Sequence, residues 1–378
     1  MSLAELTDEQ REIRDMARRF ADERIAPQAA GWDREHTFPR ELFSEMGDLG
    51  LMGICVPEAY GGAGADYLSY VLVMEELSRA DAGVGVTLAV HLGAGMLPIL
   101  DWATEEQKQR VLPPLASGEE LCAFALTEPE AGSDASALRT KAVVGEDGSA
   151  RITGGKQWIT NGSYASTFTV FAKAAEGITA YLVRGDAEGF AVTREEEKMG
   201  LNSSSTADIV LEDTPGELLG TAGKGMRIAL KTLDGGRIGI GAQAVGIAQA
   251  ALELATSYAK ERVAFGGPIG RFQAIQHKLA DMQTEIEAAR ALVWRAARLK
   301  DAGLPHTIEG AQAKLFASGV ARRQTGEAIQ VLGGYGYTKE FPAERFYRDA
   351  KITEIYEGTS EIQRLVIARG LLGDVARG

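Results

Sequence analysis

The chain has 378 residues, 45% of them hydrophobic and 25% charged, enough apolar material for two or three buried cores. Its 53 acidic against 40 basic residues leave a net charge of −13, which argues against a general surface for nucleic acid or anionic membrane; an anionic ligand must meet locally placed Arg or Lys. Cys55 and Cys122 are the two cysteines and no apolar segment leads the chain, so a reducing compartment without membrane insertion is expected: the cytoplasm, or the mitochondrial matrix if a transit peptide has been removed. His36, His91, His277 and His306 stand near neither cysteine nor carboxylate at ligand spacing, and no metal site is expected.

From Thr7 to about Leu112 apolar residues recur at helical spacing, as in Ile13, Ala17, Phe20 and Ala21, then Leu49 to Val56, then Tyr70 to Leu77. They predict a helical domain over residues 1–120, broken at Leu112-Pro113-Pro114-Leu115-Ala116-Ser117-Gly118. Within it Gly83, Gly85, Gly93 and Gly95 either open space or let helices pack closely, while Leu88, Leu92, Met96, Leu97 and Trp102 would fill that space again. Strand-like runs follow at Ala142-Val143-Val144, Ala150 to Ile152, Thr167 to Ala172, Ala180 to Val183 and Ile209 to Leu211, with a turn at Glu146-Asp147-Gly148. They predict a small antiparallel β domain over residues 121–226. Long helical patterns resume at roughly 227–262, 272–302 and 307–332, giving a third, four-helix-bundle-like domain over 227–378. The fold class is therefore α+β, in several domains.

Three glycine-rich stretches, Gly61-Gly62-Ala63-Gly64, Gly239-Ile240-Gly241 and Gly333-Gly334-Tyr335-Gly336, complete neither GxGxxG between strand and helix nor a Walker loop. A nucleotide cofactor, if bound, is bound without a Rossmann unit. In Lys156-Gln157-Trp158-Ile159-Thr160-Asn161 a strand would turn Trp158 and Thr160 to one face, an indole plane beside a hydroxyl, suited to a flat nitrogen-bearing ring or equally to an exposed cross-strand pair. Ala125-Leu126-Thr127-Glu128-Pro129-Glu130-Ala131-Gly132-Ser133-Asp134 offers a hydroxyl and then a turn whose N–H groups could hold a diphosphate, or is simply a turn.

The most informative residue is Glu357 in Ile355-Tyr356-Glu357-Gly358-Thr359-Ser360, a carboxylate ahead of a short helix. A helix N-terminus favours its anion, whereas an apolar pocket raises its pKa towards the range of a general base. Ser360 and Gln363 can form a capping box, with Ile362, Leu365 and Val366 as an apolar stripe.

Together these motifs resemble the acyl-CoA dehydrogenase family, of the short-chain and branched-chain type. Ala125 through Ala137 matches one family signature; Gln330, Gly333, Gly334, Gly336, Tyr337 and Glu340, followed by Arg345 and Asp349, match a second. Trp158-Ile159-Thr160, Arg262 with Phe265-Gly266, and the Glu357 segment through Gln363 match as well, in the family's order. The resemblance implies the family's three-domain fold, a homotetramer built as a dimer of dimers, and FAD held between the β domain and the C-terminal helices. By position, Leu126, Thr127 and Thr160 would meet the flavin ring, Trp158 would pack beside it, Gly132 and Ser133 would approach the pyrophosphate, and Thr359 and Glu361 would lie along the dinucleotide. Arg262, Phe265, Gln273, Gln330 and Gly334 would serve the adenosine and diphosphate half from the neighbouring subunit.

The activity implied is dehydrogenation of an acyl-CoA to the trans-2-enoyl-CoA: Glu357 removes the α-proton and the β-hydrogen leaves as hydride to the flavin, with electrons passing on to an electron-transferring flavoprotein. Ser133, Asp234, Arg237, Tyr356 and Gly358 would contact the substrate. Some relatives carry the base just before the arginine matched by Arg237; here that position is Gly236, so Glu357 has no competitor. Two departures from the family pattern are Asn202, where many relatives have arginine, and Phe124, where tyrosine is common. An oxygen-reducing acyl-CoA oxidase and an inactive helical binding protein of the same fold are the alternatives. The acyl tail would run towards residues 84–102, with a preference for about four to eight carbons, each lost CH₂ contact being worth about 0.8 kcal/mol.

Overall fold

A computed structural model of the chain describes residues 5–145, 149–373 and 375; the turn expected at Glu146-Asp147-Gly148 lies outside the described residues. The first helices are α1 (Asp8–Phe20), α2 (Ala26–Glu35), α3 (Arg40–Asp48) and α4 (Tyr67–Ala80). A capping box between Thr7 and Gln10 starts α1. In α4 every described residue except Arg79 is buried, as its apolar sequence all round requires of a core helix. Its N-terminus is capped by Asp66, through the Ser69 N–H at 2.7 Å, and by Asp301 from far along the chain, which accepts from the N–H groups of Tyr67 at 2.6 Å and Leu68 at 3.1 Å.

Next come α5 (Ala82–Leu88), a wider π-helical stretch (Ala89–Met96) and α6 (Leu97–Trp102). The glycines here are packing residues: a methyl at Gly83 would lie 2.0 Å from Ser203 Oγ, at Gly85 2.1 Å from Ser78 Oγ and at Gly95 2.6 Å from Cys122 Cβ. Helix α7 (Glu105–Ala116) runs through Pro113 and Pro114 rather than breaking at them. Gln109 and Arg110, whose carbonyls the prolines leave without amide donors, are exposed to water, and the turn falls at Gly118, φ 71°.

The middle domain is a seven-stranded sheet of β1 (Cys122–Ala125), β2 (Lys141–Val144), β3 (Ala150–Thr160), β4 (Thr167–Ala174), β5 (Gly177–Arg184), β6 (Phe190–Glu195) and β7 (Thr206–Leu219). Its order is β1-β4-β2-β3-β7-β5, β6 lies on β7, and a β4–β5 pairing closes the ring. Pairing is antiparallel except where β1 and β2 run parallel to β4. Strands β1 and β6 escape sequence periodicity for opposite reasons: β1 is enclosed and shows no alternation, while β6 is exposed along nearly its whole length. The barrel has its own core, with Ile152, Ile159, Phe168, Val170 and Leu211 among its members.

Helices α8 (Gly225–Glu261), α9 (Gln273–Asp301) and α10 (Thr307–Leu332) match the three expected spans closely. They pack on one another and on α4, with α11 (Ala343–Ile352) and α12 (Ser360–Leu372) against α10, so the N- and C-terminal helices share one core. The stretches Ala82–Trp102 and Gly225–Glu261 are long and apolar enough to cross a membrane, but 89% and 83% of their most apolar windows are buried in the protein. Asn202 is engaged through its amide, which donates to Asp33 Oδ1 at 2.9 Å, and Arg348 of α11 pairs with the same carboxylate at 2.7 Å. Asp349 accepts from the Leu201 N–H at 2.7 Å, fixing this loop of the β domain to α11.

A buried ion pair fastens the loop after β1. Lys156 Nζ lies 2.7 Å from Glu128 Oε1 and donates to Leu126 O at 3.1 Å, while Glu128 also accepts from the Thr140 N–H at 3.1 Å. Lys156→Met strands the Glu128 charge in the interior, and a loss of about 3–5 kcal/mol is expected. Denaturant unfolding of purified protein checks this; a change below about 1 kcal/mol would contradict it.

Candidate active site

The loop from Thr353 to Thr359 joins α11 to α12 and closes on itself through Ser360 N–H to Glu354 O, 2.9 Å. At its tip Glu357 has φ 50° and Gly358 φ 90°, so the carboxylate is presented from a left-handed backbone that costs a non-glycine residue about 1–2 kcal/mol. Three hydrogen bonds hold it there. Gln363 Nε2 donates to Glu357 O at 3.2 Å and to Gly358 O at 2.7 Å, and Lys314 Nζ donates to Gly358 O at 2.6 Å. The expected capping box of Ser360 and Gln363 does not form, because the Gln363 amide is turned back onto these carbonyls. Thr359 is the N-cap instead, its hydroxyl accepting from Ile362 N–H at 3.3 Å. Nor does the stripe of Ile362, Leu365 and Val366 face a core: Leu365 is exposed, the other two are half-buried, and Gln363 alone among the described residues of α12 is fully buried.

Gly236 of α8 receives the carboxylate, and Gly239 one turn on receives the Tyr70 hydroxyl. A methyl at Gly236 would fall 1.9 Å from Glu357 Oε2, and one at Gly239 2.6 Å from the Tyr70 hydroxyl. Although Glu357 as a whole is half-buried, its Oε2 is inaccessible to water and has no hydrogen-bond partner; the same holds for Tyr70 Oη, Arg237 Nε and Gln363 Oε1. Orphaned buried polar atoms are rare, and their convergence here points to groups supplied by a ligand. Burial pushes the Glu357 carboxyl up to about 7, against the opposing pull of Lys314 and Arg237. Desolvation thus outweighs both the cations and the helix N-terminus.

Arg237 and Asp234 are joined at 2.6 Å, and Asp234 also accepts from the Thr307 hydroxyl at 2.7 Å. Arg237 as a whole is 4% exposed, enclosed beneath the site rather than displayed on the surface. The Tyr356 hydroxyl donates to Gln243 Oε1, and Gln243 Nε2 to Ala82 O at 2.8 Å, anchoring the loop to α8 and α5.

The remaining candidates fall into separate groups. In the β domain Leu126 and Thr127 run beside Trp158 and Thr160, linked by Gln157 N–H to Thr127 O at 2.9 Å. The β3–β7 ladder slips between Lys156 and Ile159, and Trp158, φ 58° and 57% exposed, stands out from that irregularity rather than from a regular strand. Among the described residues the hydroxyls of Thr127 and Thr160 engage no protein partner, and nothing lies within 4 Å of a methyl built on Gly132; Ser133 beside it is exposed. At the far end of the bundle Arg262, whose guanidinium sits 5.8 Å from the Tyr335 ring centre, and Gly334 line a cleft of about 570 Å³. Phe265 projects nearby at 89% exposure; Gln273 opens α9 and Gln330 lies in the last turns of α10. Thr359 and Glu361 line another cleft, of about 880 Å³, with Ile355 and Arg322.

Family models for the acyl-CoA dehydrogenase N-terminal, middle and C-terminal domains match residues 7–119, 123–214 and 223–372. The chain belongs to the acyl-CoA dehydrogenase family. Among its relatives, the short-chain specific acyl-CoA dehydrogenase of Clostridium acetobutylicum is 49% identical over 96% of this chain and 98% of its own. The solved butyryl-CoA dehydrogenase of Megasphaera elsdenii superposes with a TM-score of 0.96 at 46% identity, covering 97% of this chain and 99% of that one. A chain in the structure described as the electron transferring flavoprotein of Acidaminococcus fermentans does so with a TM-score of 0.96 at 48% identity, covering 98% and 100%.

Sequence reasoning did not find Tyr70 or Lys314 at the site. Tyr70 was legible only as one apolar position of α4. Lys314 carried a faint signal, a single cation among alanines in Ala311-Gln312-Ala313-Lys314-Leu315. Gly236 offers a test of the packing around Glu357. Gly236→Ala removes a helix-breaking residue, so folding should be unimpaired, while the displaced carboxylate should cost on the order of 100-fold in turnover of an acyl-CoA. Thermal melting and steady-state kinetics check this; unchanged turnover would contradict the geometry.

Proposed function

We propose that Glu357 is the base that removes the α-proton of an acyl-CoA thioester, and that the protein dehydrogenates short acyl-CoAs with FAD as cofactor. The observation that carries this is Glu357 Oε2, buried without a partner on a carboxyl poised at about 7. Such a group takes up a proton readily at neutral pH and returns it without a large penalty either way. Its backbone N–H has no protein acceptor among the described residues and is the donor towards the thioester carbonyl. Arg237 and Asp234, an enclosed ion pair, match the family's contacts to the CoA portion, where a chain of net charge −13 must meet a polyanion with locally placed cations.

The residues of the β domain fit an isoalloxazine: unengaged hydroxyls at Thr127 and Thr160, an exposed indole at Trp158, and open backbone at Gly132 and Ser133 beside a diphosphate. Bound FAD supplies the acceptor for the β-hydrogen as hydride, so that the product is the trans-2-enoyl-CoA. Arg262, Phe265, Gln273, Gln330 and Gly334 serve the adenosine end of a neighbouring subunit's cofactor in a homotetramer, with Thr359 and Glu361 along the dinucleotide. Ser133, Tyr356 and Gly358 border the substrate. Domain limits near residues 120 and 226, an electron-transferring flavoprotein as electron acceptor, and a cytoplasmic location complete the assignment. The two free cysteines accord with that location.

The acyl tail is short because the walls expected to admit it are filled. Leu88, Leu92 and Met96 are fully buried, and the Tyr70 hydroxyl stands 3.4 Å from a methyl built on Gly93. Comparing kcat/KM for butyryl-, isovaleryl-, octanoyl- and palmitoyl-CoA should place the maximum within about four to eight carbons; a maximum at palmitoyl-CoA would refute the filled pocket. Glu357→Gln should fold and bind FAD yet lose about 10²–10⁴-fold in anaerobic flavin reduction. Retention of more than about a tenth of the wild-type rate would overturn the assignment of the base.

A further inference from the structure

Lys314 is 0% exposed on α10, among Ala311, Ala313 and Ala317, all fully buried. Among the described residues its ammonium forms no ion pair with a carboxylate and makes one hydrogen bond, from Nζ to Gly358 O, 2.6 Å away. A buried ammonium held by a single carbonyl costs more in desolvation than that bond returns. Gln363 Nε2 also donates to Gly358 O at 2.7 Å, so Lys314 shares the tethering of the loop and adds to it a buried positive charge.

We propose that Lys314 is a positioning residue for the reaction: from behind the loop it holds the left-handed Glu357-Gly358 pair and stabilises the anion of Glu357 with its charge. The proposal rests on Glu357 being the base. Every element around Glu357 bears on its charge. From α8 come Arg237 and its partner Asp234, from α4 the hydroxyls of Tyr67 and Tyr70, from its own loop Tyr356, and from α10 Lys314. The tyrosines are held neutral by burial, which raises their pKa values well above the ordinary one. Arg237 is partly cancelled by Asp234 at 2.6 Å, which leaves Lys314 as the cation with no carboxylate in contact. Consistently, Lys314 is the largest influence opposing desolvation at Glu357, while Glu354 and Glu361 act on Lys314 itself. Burial brings Lys314 down to about 8, so it still carries its charge where Glu357 ionises.

The test uses the FAD-loaded enzyme and the variants Lys314→Gln, Lys314→Met and Lys314→Arg. Flavin reduction by a saturating acyl-CoA is followed anaerobically across pH, with FAD content and thermal midpoint measured alongside. In the two neutral variants the pH at which the rate rises to half its plateau should move up by about one unit, a roughly tenfold loss on the acid side. FAD content should stay the same, and Lys314→Arg should restore the wild-type profile. An unshifted profile in folded, FAD-loaded Lys314→Gln, or a loss that is uniform with pH, would overturn the proposal. Should Glu357→Gln prove active in the same assay, the base assignment fails instead, whatever the Lys314 variants do.

Discussion

Removal of the Glu357 carboxylate from water is the constraint around which the rest of this molecule is arranged. An ionised carboxylate loses hydration on entering a low-dielectric site and answers by holding its proton more tightly. Three helices produce that enclosure. Helix α8 approaches within contact through Gly236, α10 closes the back with Lys314, and α12 sends Gln363 back to the loop that carries the charge. The buried helix α4, capped across the chain by Asp301, adds Tyr70. A site assembled from both ends of the sequence requires that the N- and C-terminal helices share a core, as they do.

Two tendencies compete at Glu357, and their balance suits the chemistry. The N-terminus of α12 and the cations Lys314 and Arg237 favour the anion; burial favours the acid and prevails, leaving the group near neutrality. A fully solvated carboxylate would be too weak a base, and a buried one without cations would stay protonated at neutral pH. The left-handed backbone at Glu357 is the local strain accepted for this placement, and the donors on the carbonyls of Glu357 and Gly358 offset it.

Much of the frame was legible in the sequence, because the long helices α8, α9 and α10 are extended apolar-rich stretches that no proline interrupts. The enclosed strand β1 and the exposed strand β6 were not, since neither shows alternation. Pro113 and Pro114 misled for a related reason: a proline breaks a helix where its missing donor is costly, and here the affected carbonyls face water. At the site, Glu357, Thr127, Trp158 and Thr160 stood out by motif, but a motif says nothing of distant partners. The contacts of Gly236 and Lys314 with the loop, and of Tyr70 with Gly239, depend on how helices cross, which local pattern does not encode. Gln363 was visible as a capping residue and is instead a clamp, a difference only the fold of the loop reveals.

The central claim, that burial poises Glu357 near neutrality, can be measured without turnover. Infrared difference spectra between wild-type and Glu357→Gln protein isolate the carbonyl stretch of this one protonated carboxyl, and its amplitude can be followed across pH. A midpoint near 7 is expected. A midpoint in the ordinary carboxylate range, about 4 to 5, would show that the group is solvated and would contradict the account.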